Sequence, residues 1–316
     1  MLPIKKDAYY TVHGTRQNFD IHIKPIHPTS LPNIKNYAQE TLKAVEEIYN
    51  HPSRTAPLNV LYSGGIDSEL ILRCLHKLKI PHKTTIIKLN NQYNKLDLLY
   101  ADLYCNKYKI TPKVIEFDIT AYLRDPYKMM ELAVKSRSPA YKMFYPLEVA
   151  LTLDGMILTG WDHPYYGKDK TTNKWYFEDK ERWQPWTNMF KQGYLDGTHA
   201  VLSWTAEQFF SFGNHHVIKQ LCNNEMPGKI GVMTSRLPLY NELYDINTEH
   251  TELMLQRPKL TRWERIDMDP AIRYDKVIQD NINRVQKLEA LYSGEYMIEY
   301  NELMGKLVDG NMVANT

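Results

Sequence analysis

Six consecutive residues, Ser63-Gly64-Gly65-Ile66-Asp67-Ser68, constrain this chain more than any other stretch. The apolar run Leu58 to Tyr62 ahead of them reads as a buried strand, entered through Ala56 and Pro57. Behind them Leu70, Ile71, Cys74, Leu75 and Leu78 recur at helical spacing, which predicts a helix starting near Ile66. Two glycines between strand and helix allow a tight turn with uncovered N–H groups. Those donors, at the positive end of a helix dipole, form a site for phosphate-sized anions, to which Ser63 and Ser68 can add hydroxyls. Asp67 repels an anion unless a cation sits between them, so a nucleotide carrying Mg2+ is the natural occupant. The plainer alternative is a glycine turn capped by Ser or Asp. Five specified residues out of six arise by chance on the order of once in a few thousand chains of this length. The strand and helix on either side shift the balance further toward a nucleotide.

SGGIDS resembles the signature SGGxDS of the N-type ATP pyrophosphatases, the PP-loop superfamily that includes the synthetase domains of asparagine, GMP, NAD and argininosuccinate synthetases. It is not the GxxxxGK[ST] loop of kinases and GTPases, which does not occur here. The resemblance implies an α/β, parallel-sheet fold of the adenine nucleotide alpha hydrolase-like kind. It implies ATP cut between its α and β phosphates, with pyrophosphate cradled by Ser63, Gly64, Gly65, Asp67 and Ser68 and Mg2+ near Asp67. Adenine would lie against the ends of the first two core strands, near Leu61 and Leu89, held largely by backbone groups.

Alternating short strands and helices after residue 56 predict parallel strands with right-handed crossovers. The expected elements are a second strand at Thr84–Leu89, a helix at Asp97–Lys107, a third strand at Val114–Phe117, helices on both sides of Ser138-Pro139, and a fourth strand at Met156–Thr159. In such a sheet the ligand crevice lies beyond the carboxyl ends of the strands, so Asn90, Asp118 and the 63–68 loop should converge there. Ahead of this core, AYYTVH and FDIHIKP predict a small hairpin, and residues 33–49 a helix. The resulting division is 1–55 for hairpin and helix, 56–164 for the nucleotide core, and 165–316 for an insertion and a helical cap, with a soft boundary near 165. Residues 165–197, rich in Lys and Trp, read either as a solvated hairpin or as a flap over the substrate that excludes water.

A second motif, Ile157-Leu158-Thr159-Gly160-Trp161-Asp162-His163-Pro164, lies where the fourth strand should face the nucleotide. It looks like a shortened form of the LSGEGxDE segment of asparagine-synthetase-like domains. Gly160 then falls in the nucleotide site, and Asp162 takes the place of the family Asp that helps hold Mg2+. Trp161 stands where that family has the acid that deprotonates incoming ammonia, a departure that points to a different acceptor, base or reaction. A late lysine in the family reaches the triphosphate; the basic group Arg257 to Arg262 makes Lys259 its counterpart, neutralising charge that develops on the phosphates.

Composition excludes several classes. The 316 residues carry a net charge of +2 with both signs interspersed and no basic block, which argues against a nucleic-acid partner. Cys74, Cys105 and Cys222 are widely spaced, include no CxxC and read as buried free thiols, consistent with a reducing cytoplasm. No apolar run approaches a membrane span. Histidines 13, 22 and 27 read as strand residues rather than metal ligands, and His215-His216 as surface.

The expected function is therefore an ATP-dependent, asparagine-synthetase-like ligase that adenylates a carboxylate and forms an amide. Leu2 stands where a glutaminase domain needs an N-terminal Cys, and the 57 residues ahead of the loop strand are too few to hold such a domain. Ammonia or an amine would then come from solution or from a separate glutaminase. The alternatives are a nucleobase- or RNA-modifying ligase or thiolase, and a nucleotide-binding protein without turnover.

Overall fold

A computed structural model describes residues 2, 10–15, 18–23, 26, 31–160, 164, 166–168, 172, 174–179, 184–223, 238–240, 266, 269–288, 296–299 and 302. Strands β1 (Tyr10–Thr15) and β2 (Asn18–Ile23) form the antiparallel hairpin that their alternation predicts, with Tyr10 opposite Ile23. Helix α1 (Tyr37–Asn50) starts later than its apolar pattern implies. The Asn36 side chain accepts from Gln39 N at 2.9 Å and fixes the start there, with a single 3-10 turn at Leu31–Asn33 ahead of it.

The central unit then alternates: β3 (Leu58–Leu61), α2 (Ile66–Lys77), β4 (His82–Leu89), α3 (Lys95–Tyr108), β5 (Lys113–Phe117). Two helices that meet at Asp125 follow, α4 (Ile119–Arg124) and α5 (Pro126–Ser136). The Asp125 carboxylate accepts from Tyr127 N and Lys128 N, and Pro126 takes the first helical position, where its missing N–H costs nothing. α4 has no counterpart in the expected elements, and α6 (Phe144–Ala150) is shorter than expected. β6 (Met156–Leu158) returns to the sheet beside β3.

β7 (Tyr166–Lys168) and β8 (Trp175–Asp179) pair antiparallel, and β10 (Tyr296–Glu299) adds to the outer side of β8. Helix α7 (Gln184–Lys191) leads to β9 (Gly197–Thr198), followed by α8 (Ala206–Asn214), α9 (His216–Cys222), α10 (Pro270–Arg273) and α11 (Lys276–Gln286). The hairpin part of the 165–197 reading holds, but its inner side is not solvated. Tyr166 and Phe177 are each 2 % exposed and belong to the main apolar core, and Trp186 is fully buried.

The five-stranded sheet runs β5-β4-β3-β6-β9, all parallel. Period-two alternation sends its side chains into two separate cores. Leu58, Val60, Ile86, Met156 and Leu158 face one side, against residues of α1, α2, α3 and α8. Leu61, Leu89 and Ile157 face the other, against α4 to α7 and α11. Helices on both faces of a parallel sheet make this a Rossmann-like α/β fold. The two cores draw on all three sequence segments: Leu2 and Tyr240 share one, and Leu61 and Ile282 share the other.

Cys74, Cys105 and Cys222 are buried free thiols, as their spacing predicts. Burial raises all three, Cys105 to about 11 with help from Asp102, and Cys222 to about 12. His215 is not a surface residue: it is 8 % exposed, and its Nδ1 accepts from Val217 N at 3.2 Å, capping α9. His216 beside it is exposed. Among the described residues no helix is long and apolar enough to cross a membrane.

Candidate active site

The strand order puts the topological switch at β3. From β3 the chain moves outward through β4 and β5, then crosses back to β6 on the other side. In sheets of this kind ligands bind at the carboxyl ends of the strands that flank the switch point, here β3 and β6, where neighbouring connections leave in opposite directions. Residues 62–65 leave β3 at this point, and Thr159-Gly160 leaves β6 beside them.

Both motifs meet here through glycine. Gly64 has φ +74°, in the left-handed region, and a Cβ on it would lie 2.1 Å from Asp97 O in the first turn of α3. A Cβ on Gly160 would lie 2.6 Å from Ser68 N and 2.7 Å from the Asp67 carbonyl carbon. The loop is thus seated between α3 and the end of β6, with room for backbone alone on each side. The 63–68 loop and the β6 end that carries Gly160 are in direct contact.

Ser63 is exposed, and its Oγ accepts from Gly65 N at 3.2 Å and lies 3.2 Å from Ser68 Oγ. Ser68 Oγ also donates to Gly65 O at 3.1 Å. Gly65 occupies the N-cap of α2 with no side-chain cap, and the first helical bond is Glu69 N to Gly65 O at 2.9 Å. The N–H groups of residues 66–68 therefore precede the helical ladder. Two hydroxyls, a helix start without a side-chain cap and a glycine surface make a cradle suited to phosphate oxygens. Gly65 keeps that surface bare: a Cβ there would meet only the Ser63 and Ser68 hydroxyls, at 3.0 and 3.9 Å.

Asp67 lies in the first turn of α2, half-buried, and the Tyr240 hydroxyl donates to its Oδ1 at 2.6 Å. Beneath the loop, Glu69 and Arg73 form a buried ion pair one helical turn apart, 2 % and 6 % exposed. Arg73 Nε donates to Glu69 Oε1 at 2.8 Å, and the Tyr62 hydroxyl donates to Glu69 Oε2 at 3.3 Å. Burial opposes the Arg73 charge, but the Glu69 carboxylate outweighs it and holds the guanidinium above its ordinary range. This pair anchors the first two turns of α2 under the cradle.

Leu61 and Leu89, expected at the adenine, point into the second core at 7 % and 1 % exposure. The Leu89 N–H is already bonded to Asn94 Oδ1 at 3.0 Å, so that amide does not face the crevice. Asn90 and Asp118 do meet each other: Asn90 Nδ2 donates to Asp118 Oδ1 at 2.6 Å, and Ile119 N donates to Asn90 Oδ1 at 3.1 Å. The clamp ties the carboxyl end of β4 to that of β5, four residues past the last β3 pairing at Thr85. Trp161, Asp162, His163 and Lys259 lie outside the described residues.

The sequence reading missed the wall beside β6. His199 follows β9, is 2 % exposed, bonds Thr187 Oγ1 through Nε2 at 2.9 Å and stacks on Phe190 at 5.8 Å. Thr159, fully buried at the β6 end, has no hydrogen-bond partner for its hydroxyl among the described residues. Thr159 was marked only as the end of the fourth strand, and His199 had no local signal, because β9 is only two residues long. Tyr240 had none either, being 173 residues from Asp67. The Glu69–Arg73 pair could have been found, since charges four apart flanked by apolar residues mark a buried helix turn.

A cavity of about 430 Å³ lined by Asn59, His82, Lys83, Thr85, Lys113 and Asp154 lies at the amino ends of β3 to β5, the opposite end of the sheet from the cradle. Among the described residues no three His, Cys, Asp or Glu side chains converge as a metal cage. Asp67 would offer a hard oxygen ligand beside the cradle, a donor set that fits Mg2+ shared between one or two carboxylates and substrate phosphates. No protein-family model matches the chain, and comparison with curated proteins finds no match.

Proposed function

We propose that this chain binds Mg2+-ATP at residues 63–68 and works as an AMP-forming ligase of the PP-loop, asparagine-synthetase-like kind. The observation that carries the reading is the seating of the loop. The Gly-Gly turn leaves β3 at the switch point, opens α2 without a side-chain cap, and is packed against backbone at Gly64 and Gly160.

In this reading the Ser63 and Ser68 hydroxyls and the first-turn amides of α2 hold the β and γ phosphates. Mg2+ at Asp67 would supply charge neutralisation on the phosphate oxygens. A carboxylate oxygen of the acid substrate attacks the α phosphorus, the bond to the bridging oxygen breaks, and pyrophosphate leaves into the cradle. An amine or ammonia nitrogen then attacks the acyl carbon, AMP departs, and a base takes the nitrogen proton. Asp162 and Lys259 are proposed as a second metal carboxylate and a phosphate-neutralising cation. Positioning and charge do most of this work, so few acid–base residues are needed. Ammonia or an amine from solution, or from a separate glutaminase, completes the set of partners.

The test is ATP–pyrophosphate exchange in Mg2+ with a panel of amino and dicarboxylic acids. Acid-dependent exchange that disappears in Asp67→Ala supports the ligase. Exchange that requires RNA or a free base points instead to a nucleobase-modifying enzyme, and ATP binding without exchange to a sensor. Undiminished exchange in Asp67→Ala removes the loop assignment altogether.

A further inference from the structure

We infer that Tyr240 is a positioning residue for Asp67, fixing the carboxylate that faces the metal side of the loop; this rests on the nucleotide reading above. The Tyr240 hydroxyl donates to Asp67 Oδ1 at 2.6 Å, the short distance of a hydroxyl bonded to an ionised carboxylate. An Asp carboxylate rotates freely about its last torsion, and a donor committed to one oxygen fixes which way the second oxygen points. The donor itself is held by a rigid frame. Tyr240 is 5 % exposed and its ring stacks on Tyr37 at 5.9 Å with 23° between planes. Tyr37 is fully buried, donates its own hydroxyl to Leu202 O at 2.7 Å, and meets the edge of Phe212 at 4.9 Å. Three separate elements, α1, the turn at 201–203 and α8, therefore set where the Tyr240 hydroxyl lies.

A frame of this kind does more than tie a late segment to α2. A tie could use any surface residue of α2, whereas this one ends on the carboxylate of the SGGIDS loop. Its effect is to order Asp67 before the nucleotide arrives, so that less side-chain freedom is lost when Mg2+-ATP binds. The hydroxyl takes no part in bond making.

Tyr240→Phe removes the hydroxyl and keeps the ring that stacks on Tyr37. The probe is α,β-methylene-ATP, which cannot be cut at the α–β bond, titrated calorimetrically into wild type and Y240F in excess Mg2+ and again in EDTA, with melting curves for both proteins. The expected result is an unchanged Kd in EDTA, a melt lowered by no more than a few degrees, and a Kd in Mg2+ raised about tenfold, the scale of one hydrogen bond to a charged group. Equal affinities of the two proteins in Mg2+ overturn the inference. So does a lowered melt with both Kd values rising together, which makes Tyr240 a structural tie only. A wild type whose affinity is the same in Mg2+ and EDTA refutes the metal part of the proposed function instead, and is read from the wild-type titrations alone.

Discussion

Replacing Gly160 by Ala should damage folding and nucleotide binding together, and the reason is visible in three contacts. An added Cβ would lie 2.6 Å from Ser68 N, 2.7 Å from Asp67 C and 2.9 Å from Asp67 O, all backbone atoms. Gly160 has no positive φ, so the whole effect is contact rather than torsional strain. Side-chain atoms could rotate away; the first turn of α2 cannot, because Glu69 and Arg73 anchor it and Gly64 blocks it against α3. The β6 end and the loop must part by several tenths of an ångström, an overpacking cost of about 1–3 kcal/mol. In a thermal melt this appears as a drop of several degrees. The same displacement would move Ser68 N and Asp67 away from the proposed phosphate position, so under that proposal the Kd for Mg2+-ATP should rise about tenfold or more. Gly193→Ala is the control: Gly193 has φ +75° with nothing within 4 Å of an added Cβ, so Ala there costs roughly 1 kcal/mol of backbone strain. It should lower the melt and leave ATP affinity alone. A Gly160→Ala protein with the melt and the ATP affinity of wild type would refute the seating argument.

Gly65→Ala should separate the two effects in the opposite sense. Its nearest neighbours are movable hydroxyls and its φ is not positive, so the melt stays close to wild type. The methyl group enters the phosphate cradle, and Mg2+-ATP titration should show the largest affinity loss of the glycine variants. Arg73→Met leaves Glu69 buried and uncompensated, and urea unfolding should report a loss of about 3–5 kcal/mol at neutral pH. A loss below 1 kcal/mol would mean that the pair is not buried as described.

The strand–turn–helix core of the parallel sheet was legible in the sequence because its signals are local. A short apolar run marked β3, a β-rich stretch between turn residues marked β4, a glycine pair marked the turn, and helical spacing marked α2, with the strand and helix starts displaced by only a few residues. α4 escaped because its six residues carry less than two turns of pattern and are closed at both ends by aspartates that read as turns. β9 escaped because two residues show no periodicity; neighbouring backbone defines it, through Ile157 N to Asp196 O at 2.7 Å and Thr159 N to Thr198 O at 3.3 Å. His215 was misread because a histidine that caps a helix while buried looks, in sequence, like an exposed polar pair. The least legible part of the candidate site was the least local: Tyr240 reaches Asp67 through tertiary packing alone, 173 residues away in sequence.

The central claim is that ATP is cut between the α and β phosphates, and positional isotope exchange tests it most directly. ATP labelled with oxygen-18 at the β non-bridging positions is incubated with the protein, Mg2+ and each candidate acid, without the nitrogen donor. Reversible adenylation frees pyrophosphate to turn within the cradle, so the label should enter the α–β bridge, and Asp67→Ala should stop it. Label entering the β–γ bridge instead, or scrambling that persists in Asp67→Ala, would contradict the account.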